Sequence, residues 1–174
     1  MLEVIFENRA LAQQFVSILL GLAMLRWGGA PERAVACVFV GLLILPIVVI
    51  EAITGDALIF AGGGVYFATM DTVTAIAFTM IALYANRNYT LWIAGFQVVA
   101  ASAHAVRFAV DVVTPLAHAV LVIGPSYFQI ILMALGLFRH IRRKKLYGEY
   151  RDWRVPIRFP FGPGNLAGPA GKNP

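Results

Sequence analysis

The sequence predicts an all-α, polytopic transmembrane bundle of about five helices, with its N-terminus outside and its C-terminus in the cytoplasm. Three observations predict it. Hydrophobic residues make up 60% of the 174-residue chain and charged residues only 13%, against about 25% charged in ordinary soluble domains. Charge is sparse between Ala10 and Phe138, which leaves apolar runs long enough to span a bilayer. A basic cluster, Arg139-His140-Ile141-Arg142-Arg143-Lys144-Lys145, then closes the apolar part. Lys and Arg beside such runs stay on the cytoplasmic side.

The first span falls near residues 10–26. Its apolar stretch resembles a signal-peptide core, but Glu3 and Glu7 precede it where positive charge is expected. Arg26 and Trp27 follow it as at a membrane boundary, so an uncleaved span is expected. The second span covers 32–53, the third 64–84, the fourth 89–110 and the fifth 115–139. Each has the length that a hydrocarbon core of about 30 Å requires at 1.5 Å per residue. The breaks carry turn residues: Gly28-Gly29-Ala30-Pro31, Thr54-Gly55-Asp56, Gly62-Gly63-Gly64, Asn86-Arg87-Asn88 and Thr114-Pro115. Pro31 and Pro115 suit helix starts, where a missing N–H costs little. Pro46 and Pro125 fall inside spans and predict kinks.

Five spans place 12 of the 14 Lys/Arg on the inner side, leaving Arg9 and Arg107 outside. Dropping the first segment gives a four-span alternative with the same inner loops. Trp27, Tyr84, Tyr89, Trp92, Tyr147 and Trp153 then lie at or near the inner interface, as an aromatic belt does. Two regions follow: a transmembrane domain, residues 1–145, and a basic, aromatic, Pro/Gly-rich cytoplasmic tail, residues 146–174. The tail has no helical period and is expected to be extended or disordered.

Ionisable residues at membrane depth are costly and need partners or a task. Asp71, His104, Arg107, Asp111, His118 and Glu51 all fall in the outer half of this topology, forming a candidate polar cluster open to the exterior. An internal ion-pair network fixing helix register is the first reading. A ligand, ion or proton site is the second, and snorkelling to headgroup water the third. Gln13, Gln14, Ser17, Gln97 and Gln129 are expected to hydrogen-bond between helices, and Thr69, Thr72 and Thr74 to bond their own helix backbone. Ala101, Ala105 and Ala109, spaced by four, form a small-residue seam that admits a close helix neighbour.

The tetrapeptide Ala-His-Ala-Val occurs twice and places His104 and His118 14 residues apart. Two haem-ligating histidines of a b-type cytochrome share that spacing within one helix, so haem or a chlorophyll-type pigment is the one cofactor class in view. Asp111, Thr114 and Pro115 interrupt the interval, and a second histidine pair is absent, so no cofactor is the primary expectation. Asp71, His104 and His118 are acceptable metal-ligand types without a diagnostic spacing, so no metal site is assigned. The lone Cys37 excludes an internal disulfide or thiolate cluster. No nucleophile elbow, zincin motif or phosphate loop is present, and no enzymatic activity is expected.

In the tail, Arg142, Arg143, Lys144, Lys145, Trp153 and Arg154 suit anionic lipid headgroups or a protein partner. Beside a span this explains the +5 net charge better than nucleic acid does. The stretches 85–92 (Ala-Asn-Arg-Asn-Tyr-Thr-Leu-Trp), 124–129 (Gly-Pro-Ser-Tyr-Phe-Gln) and 147–154 (Tyr-Gly-Glu-Tyr-Arg-Asp-Trp-Arg) resemble a group of small uncharacterised multi-spanning proteins of the alphaproteobacterial inner membrane. That resemblance covers about the second half and implies no activity, cofactor or catalytic residue. The expected function is an accessory or assembly subunit of a larger membrane complex, with other membrane subunits and the lipid bilayer as partners. The alternatives are a small ion- or proton-handling transporter and a pigment-binding subunit.

Overall fold

The computed structural model describes residues 2–54, 64–109, 115–148 and 151–154. They form an all-helical fold with no strand among the described residues. Helix α1 spans Leu2–Trp27 and so begins earlier than the apolar stretch alone predicts. After Gly28 and Gly29 comes α2, Ala30–Val38, with Pro31 in its first turn. A π-helical stretch, Phe39–Ile44, leads directly into α3, Leu45–Thr54. The remaining helices are α4, Gly64–Tyr84; α5, Asn88–Ala109; and α6, Pro115–Tyr147.

Pro46 was expected to kink its span. The structure instead widens the helix just before it, and the Leu45 N–H reaches back five residues to the Val40 carbonyl. A proline lacks an N–H and crowds the carbonyl four residues earlier, so a π turn relieves the conflict without breaking the rod. The same widened segment packs on α1. A Cβ added at Gly21 would come within 2.5 Å of Val40 Cγ2, so Gly21 permits the approach. Pro125 is buried inside α6 without ending it. Next to it, Ser126 Oγ donates to the Ile123 carbonyl at 2.6 Å and accepts from Gln13 Nε2 at 2.8 Å, joining α1 to α6.

Packing is most extensive between α4 and α5 and between α5 and α6, with α1, α2 and the π segment closing the other side. Met24, Val35, Phe39, Phe78, Ile93, Met133 and Leu137 form the centre of the core, and Phe96 stacks on Phe128 at 5.0 Å. The outward faces are also apolar: Phe15, Leu22, Ile76, Leu83, Leu91, Val98, Ile131 and Leu135 are all exposed. Water would penalise so much exposed hydrocarbon, whereas lipid would not. Among the described residues, three helices are long and apolar enough to cross a membrane: Ala30–Ile50, Val65–Tyr84 and Asn88–Val106. The apolar part of α1, Leu11–Trp27, is shorter.

One expectation about the C-terminal part is corrected. The basic cluster does not follow the last helix but forms its final turns. Helix α6 has 33 residues, about 50 Å at 1.5 Å per residue, and so extends well beyond a hydrocarbon core of about 30 Å. It ends at Gly148, whose φ of 73° is left-handed and whose N–H returns to the Lys144 carbonyl at 3.0 Å. That is a glycine helix stop, since other residues resist this φ. Where it is described, the tail beyond Gly148 is extended, and Trp153 pairs with Ala85 in an antiparallel bridge. Residues 155–174 lie outside the described residues.

Candidate functional site

Two polar assemblies lie within the fold. The first is built on α4, α5 and α6. His104 Nε2 lies 2.9 Å from Asp71 Oδ2, and Gln97 Nε2 donates to Asp71 Oδ1 at 2.9 Å. Gln129 Nε2 donates to Gln97 Oε1 at 2.8 Å and to the Ile93 carbonyl at 3.2 Å. Gln97, His104 and Gln129 are buried. A continuous polar line therefore crosses three helices in the interior of the bundle, joining an ionisable pair to two amides. Helix periodicity explains the alignment: Ile93, Gln97 and His104 recur at separations of four and seven and share one face of α5.

Of the predicted outer cluster, the structure brings Asp71 and His104 together. Asp111 lies outside the described residues, and Glu51, Arg107 and His118 have described backbone but no described side chains. His104 and His118 lie on different helices, α5 and α6, so their 14-residue spacing is not the spacing of one helix. Gln97 and Gln129 bond between helices as predicted, and so does Gln13. Thr69 and Thr72 bond their own helix, to the Val65 and Ala68 carbonyls. Thr74 and Ser17 differ from expectation: both hydroxyls are buried without a hydrogen-bond partner among the described residues.

The second assembly lies where α1 ends, α2 begins, α4 turns into α5, and α6 leaves the bundle. Arg87, in the α4–α5 turn, donates from Nε to Glu32 Oε1 at 3.1 Å and from an η nitrogen to Asp152 Oδ1 at 2.7 Å. Asp152 Oδ2 accepts the Ala30 N–H at 3.1 Å, an anion at a helix N-terminus. His140 Nδ1 lies 3.8 Å from Glu32 Oε2. The tail backbone is bonded as well: Asn86 N–H donates to the Asp152 carbonyl at 3.1 Å, and Arg154 N–H to the Tyr84 carbonyl at 2.8 Å. Glu32 is completely buried, and Arg87 and His140 nearly so, while the Asp152 side chain is 29% exposed.

The sequence did not reveal this assembly. Arg87 counted only as an inner-side cation and His140 as part of the basic tail. The sole local signal was Glu32 directly after Pro31, an acid in the first turn of a helix. The predicted surface residues Arg142, Arg143, Lys144 and Lys145 are exposed on α6. Arg154 is exposed in the returning tail, and Trp153 beside it is half-buried.

No family model, curated protein or solved structure matches the chain.

Proposed function

We propose that this chain is a five-span integral protein of the bacterial inner membrane, with its N-terminus outside and its C-terminus in the cytoplasm. In this reading it is a non-enzymatic accessory or assembly subunit of a larger membrane complex. One observation carries the subunit reading. Ala101 is half-buried while Ala105 and Ala109 are exposed, so the small-residue seam of α5 is not consumed by this bundle. Such a seam lets a foreign helix approach closely. The internal polar groups support the same reading, because they bond to one another across helices and brace the bundle. The grouping of the turns at 28–29 and 85–87 with the basic end of α6 supports the orientation, since the cationic residues then share one end. The exposed basic turns of α6 suit anionic headgroups, and the resemblance to alphaproteobacterial membrane proteins fits this placement.

Mild detergent extraction of native membranes tests the reading. The chain is expected in a complex much larger than 18.9 kDa, and Ala105→Phe is expected to release it as a folded monomer. Purification of the wild-type chain as a lone monomer overturns it.

A second reading, ion or proton handling, is favoured by the Asp71–His104 pair and the amide line behind it. It requires that Asp71→Asn abolish a flux while expression stays intact; loss of expression alone speaks for a bracing role. For pigment binding, His104 would have to give up the Nε2 contact with Asp71, and an absorption scan of the purified protein decides the matter.

A further inference from the structure

Glu32 Oε2 is the least satisfied charged atom of the second assembly. The Glu32 side chain is completely buried, and Oε2 has no hydrogen-bond partner among the described residues. Arg87 occupies Oε1, not Oε2. His140 Nδ1 lies 3.8 Å from Oε2, too far for a hydrogen bond. A buried carboxylate oxygen without a donor is costly. A cation bound between Glu32 Oε2 and the His140 ring nitrogen that faces it would satisfy that oxygen.

The surrounding geometry marks that space. One donor atom from each of Glu32, His140 and Asp152 lies within 4.8 Å of the other two. A point one Cβ bond off Gly29 lies 2.9 Å from Glu32 Oε2, 2.9 Å from His140 Cε1 and 3.0 Å from Asp152 Oδ1. The imidazole edge and both carboxylates therefore converge on a volume that any side chain at position 29 would fill. Two ligands on a tetrahedral ion with bonds of about 2.1 Å sit about 3.4 Å apart. The 3.8 Å between Glu32 and His140 is within a few tenths of that separation. Asp152 is the most exposed of the three.

We propose that Glu32 Oε2, His140 Nδ1 and the Asp152 carboxylate bind one divalent transition-metal ion of the Zn²⁺ or Mn²⁺ type, with water completing the coordination. Mixed carboxylate and imidazole donors suit these ions and disfavour Cu⁺, which prefers sulfur. Arg87 does not block the site. It takes Oε1 of Glu32, and each Asp152 oxygen has two lone pairs, one of which remains after Arg87 or the Ala30 N–H is bound. Two carboxylates meet one guanidinium in this assembly, a balance that favours a cation in the pocket. Asp152 provides the entry route. The ion ties the returning tail to the ends of α2 and α6, a structural role rather than a reactive one.

The test uses full-length protein in detergent, carrying Cys37→Ser to remove the exposed thiol and stripped with chelator. Zn²⁺ alone is titrated by calorimetry and bound metal is counted after desalting. The expected result is one saturable equivalent per chain. His140→Ala is expected to weaken it at least about tenfold, and His104→Ala to leave it unchanged. Gly29→Ala, which keeps every ligand and whose φ of −77° tolerates alanine, is expected to weaken it by filling the pocket. Helix content by circular dichroism verifies folding of each variant. Absence of saturable Zn²⁺ binding in the parent protein overturns the proposal. So does binding that survives His140→Ala, or that His104→Ala removes equally.

Discussion

The two polar assemblies solve the same problem in different ways. In the interior of the bundle, α4, α5 and α6 use neutral amides around a single Asp71–His104 pair, and the partners are 26 to 36 residues apart in the chain. At the basic end, full charges meet, and the partners are separated by 55 to 122 residues. Lipid explains the division. An amide that loses its partner in hydrocarbon finds another at modest cost, and hydrogen bonds between transmembrane helices average about 0.6 kcal/mol. A buried guanidinium that loses its carboxylate leaves an uncompensated charge, which costs about 3–5 kcal/mol. The first assembly sets helix register, and the second fastens chain segments together.

Breaking the charged assembly therefore carries the largest expected effect. Arg87→Ala strands Glu32, and a loss of about 3–5 kcal/mol is expected in denaturant titrations of the detergent-solubilised protein. A loss under 1 kcal/mol would mean that the assembly does not fasten the fold. Truncation after Gly148 removes Asp152 but keeps the Arg87–Glu32 contact. Of the four hydrogen bonds removed among the described residues, the charge-assisted one from Arg87 alone predicts a loss of about 1.5–3 kcal/mol, read in the same titration, with faster proteolysis in the 28–33 turn.

Crowding tests the packing of α5 on α6 between the two assemblies. Gly136 faces the Tyr89 ring, and an added Cβ would lie 2.8 Å from two ring atoms. Gly136→Leu is expected to cost about 1–3 kcal/mol through overpacking, with shifted near-ultraviolet circular dichroism as the tyrosine moves. Gln129→Leu should be milder, about 0.6 kcal/mol and at most about 1.7. If it matched Arg87→Ala, the contrast between amide and charge would fail. The smallest effect belongs to Lys145→Ala on the exposed turn of α6, within about 0.5 kcal/mol.

The helices were legible because turn chemistry marks their ends. Gly28-Gly29-Ala30-Pro31 and Asn86-Arg87-Asn88 separate helices as expected, and Pro115 opens α6. The end of α6 was misplaced because Arg139–Lys145 was taken as the boundary, although Leu137, His140 and Ile141 continue an inward-facing stripe. Gln97 and Gln129 were legible because amides within apolar helices have few other uses. The charged assembly was not, since its members come from four distant segments and each is ordinary in its own neighbourhood. Nothing near Asp152 announces a helix N-terminus 122 residues earlier.

The Arg87–Asp152 bond also carries a timing. The ribosome joins Asp152 to the chain 65 residues after Arg87, a delay of about 3–13 s at 5–20 residues per second. For that interval Arg87 has Glu32 as its only acidic contact in this assembly. Closure of the charged assembly by the tail thus awaits translation of the whole of α6.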